Sequence, residues 1–228
     1  MPLRAHAQRL SAVVSTLLLT GCLHAVTGPL LESHPAGSRI DWQWVDVILQ
    51  EQSYAIEGST AQTLTEQMKQ LGPADSNGDH NDAYTRWYVT WTFAFAKSAE
   101  GCRIAEVHVK VHVNTTLPAW TAPGDATADL PARWKKFSGA LALHERGHLQ
   151  IGVHSGQEIR QAMLTLPPTG SCDTVEGEAN EIARAIVTLH NTYDREYDEK
   201  TLHGFTQGTD ALVAGADPSP WSSEGAAR

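Results

Sequence analysis

His144-Glu145-Arg146-Gly147-His148 lies inside a run, residues 132–166, whose apolar side chains recur at helical spacing. Few features constrain a fold more. Residues four apart stack on one face of a helix, whereas along a strand they stand about 13 Å apart. Two imidazoles stacked in this way can grip one zinc ion, and a glutamate beside the first can reach a metal-bound water. Leu141, His144, His148 and Ile151 form one stripe, which Ile159 and Ala162 continue. The chain must therefore bury a long helix with a metal-competent step in its apolar face, the core of a zinc hydrolase site.

The rest of the chain reads as strands first and helices second. Residues 40–57 alternate in part, with Val45, Val47 and Leu49 on one side, and read as one strand. Ser59 or Thr60 can cap a helix over 61–71, in which Leu64, Met68 and Leu71 are helically spaced and which Gly72-Pro73 ends. Residues 75–82 are a polar loop that faintly resembles a calcium loop. His80 stands in the place of the required glycine and no glutamate closes it, so calcium is not expected. Residues 84–96 read as a strand with Trp87, Val89, Trp91 and Phe93 on one face. Residues 103–116 alternate strictly, with Val107, Val109, Val111 and Val113 opposite Glu106, His108, Lys110 and His112. His108 and His112, four apart on a strand, are too distant to share an ion. Leu117-Pro118-Ala119-Trp120 is expected to stop this strand, and an acidic loop follows over 121–130. Pro167-Pro168 ends the long helix, Asp173 with Glu176 forms a capping box, and a further helix runs through Val175, Ala179, Ile182, Ile186, Leu189, Tyr193 and Tyr197. The order implies an α+β fold, a small antiparallel sheet packed beside a long helical hairpin.

The ends of the chain bear on where it works. Residues 1–21 read as a lipoprotein signal peptide: Arg4 and Arg9, then a short apolar run, then Leu19-Thr20-Gly21 before Cys22. This resembles a lipobox, with Cys22 as the lipidated residue. Leu23 in place of aspartate points to the periplasmic face of the outer membrane. Residues 22–39 read as a tether, 40–209 as the folded domain and 210–228 as a disordered tail. With Cys22 lipidated, Cys102 and Cys172 are left to form a disulfide, as befits an exported chain. The net charge of −9 without basic clusters excludes nucleic acid as a natural partner.

A catalytic zinc needs a third protein ligand. His154 has the spacing of a metzincin motif, but the bend-forming glycine is one residue late, at Gly152. On a continuous helix His154 would be turned about 120° from His148. His203 lies just past the last helix, where the hairpin returns towards the first two histidines. By spacing alone His190, Glu176, Glu178 and Glu181 are no worse.

Several features together resemble the DUF922 family of predicted secreted zinc-dependent proteases, over about residues 42–210. They are Gly72-Pro73, the stretch from Trp87 to Trp91, Cys102, Leu117-Pro118-Ala119-Trp120, the H-E-x-G-H at 144–148, Leu166-Pro167-Pro168 before Cys172, and Y-D-x-x-T-x-H-G at 197–204. The resemblance implies His203 as the third zinc ligand, with Asp198 and Thr201 orienting it or neighbouring groups, and Asp198 itself as ligand in the lesser alternative. The expected activity is hydrolysis of a peptide or protein substrate, with Glu145 as general base and Tyr197 as the candidate donor to the oxyanion. Strand 103–116 is the suspect for pairing with extended substrate. The opposing reading is a non-catalytic envelope lipoprotein whose zinc only cross-links the fold while it binds peptidoglycan or a protein partner. Glu145 discriminates, since a structural zinc has no use for it.

Overall fold

In the computed structural model, which describes residues 38–42, 44–75 and 78–213, the strict alternation of the valine strand sets the architecture. β4 (Gly101–Trp120) buries Val107, Val109, Val111 and Val113 on one face and leaves Lys110 exposed on the other. It is one of the two inner strands of a four-stranded sheet ordered β1-β2-β4-β3, where β1 is Ser38–Trp42, β2 is Val45–Ile56 and β3 is Tyr84–Ser98. β3 pairs antiparallel with β4 from Tyr84↔Thr116 to Ser98↔Gly101. β2 pairs with β4 in parallel, from Asp46↔Lys110 to Ile56↔Trp120. The α+β architecture is as the sequence implies, but the sheet is mixed, not purely antiparallel.

Two strand boundaries differ from expectation. The single strand expected over 40–57 is two, paired antiparallel from Ser38↔Leu49 to Trp42↔Val45 and divided at Trp44, whose φ is 82°. β4 runs through Pro118 to Trp120, past the expected stop. β3 begins opposite Thr116, so beyond it β4 has a neighbour on one side only, where a proline lacking its N–H is tolerated.

Two long helices cover the valine face. α2 (Leu130–Leu164) follows α1 (Ala61–Leu71) in the chain and continues unbroken through the position where a metzincin would bend. It approaches the sheet closely at two glycines. A Cβ on Gly152 would stand 2.7 Å from Trp87 Cγ, and one on Gly156 would stand 2.6 Å from Val111 Cγ2. α3 (Cys172–Thr201) lies against α2, with Val175, Ala179, Ala183 and Ile186 in the common core. Two indoles pin it to β3: Trp87 donates to Asp194 at 3.0 Å and Trp91 to Asn180 at 2.9 Å. The Cys102–Cys172 disulfide ties the start of β4 to the first residue of α3, as the cysteine count requires.

The caps are partly as read. Thr60 accepts from the Thr63 amide at the head of α1, whereas α3 is capped by Ser171, which accepts from Thr174, and not by an Asp173–Glu176 box. Cys172 is already helical, which puts the cap two residues ahead of the one expected. A second apolar cluster joins Leu64 and Met68 of α1 to Leu130, Phe137 and Leu141 of α2. Leu212, expected in the disordered tail, is only 1% exposed and completes this cluster, and Arg133 donates to its carbonyl. The loop at 75–82 closes on itself, Asp75 Oδ1 accepting from the Asp79 amide at 3.0 Å. The signal at 1–21, Cys22, the tether up to residue 37 and the tail beyond residue 213 lie outside the described residues. No helix among the described residues is long and apolar enough to cross a membrane.

Candidate metal centre

The site lies where α2 meets the last turns of α3. His144, Glu145 and His148 are 4%, 5% and 6% exposed, although each is polar. Opposite them Asp194 and Asp198 repeat the same four-residue step on α3. His144 Nε2 is 3.1 Å from Asp198 Oδ1, His148 Nε2 is 3.0 Å from the same oxygen, and the two Nε2 atoms are 3.4 Å apart. The Nδ1 atoms point the other way. His148 Nδ1 donates to Asp194 Oδ1 at 3.0 Å, and His144 Nδ1 donates to Gln207 Oε1 at 3.0 Å. Hydrogen bonds of this kind fix the tautomer, with the proton on Nδ1 and the Nε2 lone pair free. Two imidazole lone pairs and a carboxylate oxygen thus converge on one point. Only a positive charge, a proton or a cation, makes that arrangement favourable.

The electrostatics agree. Burial opposes a charge on His148, but the hydrogen bonds to Asp194 and Asp198 outweigh it and raise the imidazole to about 10. Burial also works against ionisation of Asp198, yet its two histidine partners hold it below the usual carboxylate range. Burial raises Glu145, against the pull of the Thr85 hydroxyl and the two histidines. Its Oε2 is buried and has no hydrogen-bond partner. Thr85, on β3, is itself held by Thr115 at 3.0 Å.

Gly147, the small residue of the motif, has a local reason. A Cβ there would stand 2.2 Å from Tyr197 Cζ and 2.3 Å from its hydroxyl. The Tyr197 ring stacks on His144 with centroids 5.0 Å apart. Its hydroxyl donates to the His144 carbonyl at 3.2 Å and accepts from Gln207 Nε2 at 3.0 Å. Tyr197 therefore holds the site from behind, with both hydroxyl functions engaged.

Of the residues singled out in the sequence, His144, His148 and Asp198 are brought together: their ligand atoms all lie within 4.8 Å of one another. His203 does not join them. Its ring is 74% exposed and its Nδ1 is 3.7 Å from Asp198 Oδ1. Asp198 thus stands where the sequence argument placed His203. α3 ends in a left-handed turn at Leu202, which swings the next residue outwards. Thr201 acts on the groups around His203, its hydroxyl accepting from the Gly204 amide at 3.3 Å. Its hydroxyl donates to the Tyr197 carbonyl at 2.8 Å and lies 3.4 Å from His144 Nδ1. His154 is exposed on α2. His190 is buried against Glu158 at 2.8 Å, and Glu176, Glu178 and Glu181 are exposed in the first turns of α3. His108 and His112 are on the other face of the sheet from the valines, His108 against Glu106 at 2.9 Å and His112 stacked on Tyr88. The sequence argument missed Asp194, Thr85 and Gln207. The four-residue step from Asp194 to Asp198, matching that of the histidines, was the available signal for the first.

The donor set fits a metal ion: two imidazoles with their outer nitrogens anchored, one carboxylate, and an orphaned buried glutamate oxygen beside them. The fold and site define an α+β protein with a helix-borne two-histidine, one-carboxylate centre that could hold a metal. The chain belongs to the family described as bacterial protein of unknown function (DUF922), whose profile matches residues 51–204. That span contains every residue of the centre except Gln207. No curated protein and no solved structure matches the chain.

Proposed function

We propose that the protein is a zinc-dependent hydrolase of peptide bonds in the bacterial cell envelope, lipid-anchored through Cys22. The observation that carries this reading is Glu145, buried with an unpartnered oxygen beside three converging ligand atoms. A zinc that only cross-linked α2 to α3 would need His144, His148 and Asp198 but would not need a desolvated carboxylate next to them. His144, His148 and Asp198 would hold the zinc, which when bound lowers the pKa of a water and polarises the scissile carbonyl. Glu145, raised by burial, takes the proton of the attacking water as its oxygen bonds to the carbonyl carbon. The same carboxyl then passes the proton to the departing amine nitrogen as the C–N bond breaks. Asp194 and Gln207 keep the two imidazoles in the tautomer that ligation requires.

The strand suspected of pairing with substrate changes. Over Lys110–Thr116 β4 has neighbours on both sides and cannot accept another strand there. β3 is the strand with a free edge beside the site: it bears Thr85 next to Glu145 and has β4 as its only partner among the described residues. An extended peptide would add to that edge.

The test uses a soluble form beginning at Leu23, loaded with zinc and offered fluorescently labelled casein and purified muropeptides. Cleavage by the wild type that is abolished in Glu145→Gln, with zinc content unchanged, is the expected result. A fully zinc-loaded wild type that cleaves neither would favour the binding module.

A further inference from the structure

We infer that His203 is a catalytic residue that donates a hydrogen bond to the substrate carbonyl oxygen as it gains negative charge. This rests on the hydrolase reading above. Three observations point to it.

The first is strain. Leu202, His203 and Gly204 are consecutive left-handed residues, at φ 50°, 51° and 83°. Glycine takes this conformation freely; a side chain there is strained and persists only where its surroundings enforce it. The enforcement is visible. The His203 amide donates to the Asp198 carbonyl at 2.9 Å, the Gly204 amide donates to Thr201 Oγ1 at 3.3 Å, and Thr206 Oγ1 donates to the Thr201 carbonyl at 3.2 Å. Gly204 is pressed against His144, where a Cβ would stand 3.2 Å from His144 Cβ. Glycine at 203 would satisfy the same backbone with less strain, so the turn alone gives no reason for an imidazole.

The second is position. His203 Nδ1 is 3.7 Å from Asp198 Oδ1, too long for a hydrogen bond but adjacent to the point where the ligand atoms converge. The ring is 74% exposed, so it borders the group on its solvent side, where substrate must enter.

The third is the commitment of the other candidates. The Tyr197 hydroxyl is engaged with the His144 carbonyl and Gln207, Thr201 with the Tyr197 carbonyl, and Gln207 with His144 and Tyr197. Hydrolysis of an amide needs a donor aimed at the developing oxyanion. Of these groups, His203 alone has its ring N–H uncommitted. No proton leaves His203 in this role: the ring donates a hydrogen bond as water attacks, and Glu145 carries the proton to the amine.

The experiment compares zinc-loaded wild type with His203→Gly, which removes the ring without straining the turn, and with His203→Ala as a second variant. Zinc per chain, cleavage of labelled casein, and affinity for a phosphinic pseudopeptide that mimics the tetrahedral oxyanion are measured on each. The expected result is wild-type zinc content, kcat lower by roughly 100-fold with KM within about twofold, and pseudopeptide affinity weakened by about the same factor as kcat. Loss of zinc from the folded glycine variant would make His203 a ligand and overturn the assignment. Unchanged cleavage and unchanged pseudopeptide affinity would also overturn it while leaving the hydrolase reading intact. A wild type that cleaves nothing and does not bind the pseudopeptide overturns both.

Discussion

Replacing Gly147 by alanine tests how α2 and α3 are fitted together at the site. The added Cβ would lie 2.2 Å from Tyr197 Cζ, where ordinary contact begins near 3.4 Å, so the ring must retreat by about 1 Å. Retreat breaks two hydrogen bonds of the Tyr197 hydroxyl, to the His144 carbonyl and from Gln207, each contributing about 1 kcal/mol. Overpacking adds roughly 1–3 kcal/mol where the backbone cannot yield. The expected destabilisation is about 3–5 kcal/mol, a fall in Tm of roughly 6–20 °C for a domain of this size. Displaced Gln207 also releases His144 Nδ1, so zinc affinity falls by about tenfold or more. Thermal unfolding of the metal-free protein and zinc titration against a chelating dye measure the two effects. In the double variant Gly147→Ala, Tyr197→Ala the two substitutions should couple favourably by more than about 1 kcal/mol, because the clash has been removed. A Gly147→Ala protein with Tm and zinc affinity equal to wild type would refute the packing argument.

Other consequences are as direct. Asp194→Ala removes the acceptor for His148 Nδ1 and should weaken zinc binding by roughly 10–100-fold while the metal-free protein still folds, as circular dichroism and dye competition would show. Replacing Cys102 and Cys172 together by serine opens a crosslink between positions 70 residues apart and should cost about 4 kcal/mol in chemical unfolding, with a cost below 1 kcal/mol contradicting the chain-entropy argument. His148 is raised to about 10 in the metal-free protein by Asp194 and Asp198 against the effect of burial. A raised imidazole favours the fold fully below its unfolded value of about 6.5, and this contribution is lost as pH rises through 10. Metal-free protein should therefore lose stability between these values, and zinc binding at pH 7 should release a proton. Calorimetry in buffers of different ionisation enthalpy detects that proton, and a buffer-independent heat would contradict it.

How much of this was legible in the sequence differs by element. The helices were, because apolar residues at threes and fours from Leu141 to Ile159 and from Val175 to Ile186 can be buried on one face only as helices. The valine strand was, because Val107 to Val113 alternate without a break. The break at Trp44 was not, since a left-handed tryptophan leaves no signal in a stretch whose alternation runs on to Leu49. The parallel pairing of β2 with β4 depends on contacts more than sixty residues apart in sequence, which no local pattern encodes. In the site, His144, Glu145 and His148 followed from spacing alone. That Asp198 and not His203 lies within ligand distance of the two histidines turned on one backbone conformation: had α3 continued past Thr201, residue 203 would have kept its helical direction. Gln207 sits in a short 3-10 turn, Phe205–Gln207, where side-chain direction has no period to read.

The central claim is that Asp198, with His144 and His148, holds the metal. Zinc per chain, measured by elemental analysis on the protein beginning at Leu23, tests it most directly in wild type, Asp198→Ala and His203→Gly, each checked for folding. One zinc in the wild type and in His203→Gly, with little in Asp198→Ala, is the predicted result. Zinc kept by Asp198→Ala and lost from His203→Gly would contradict the account.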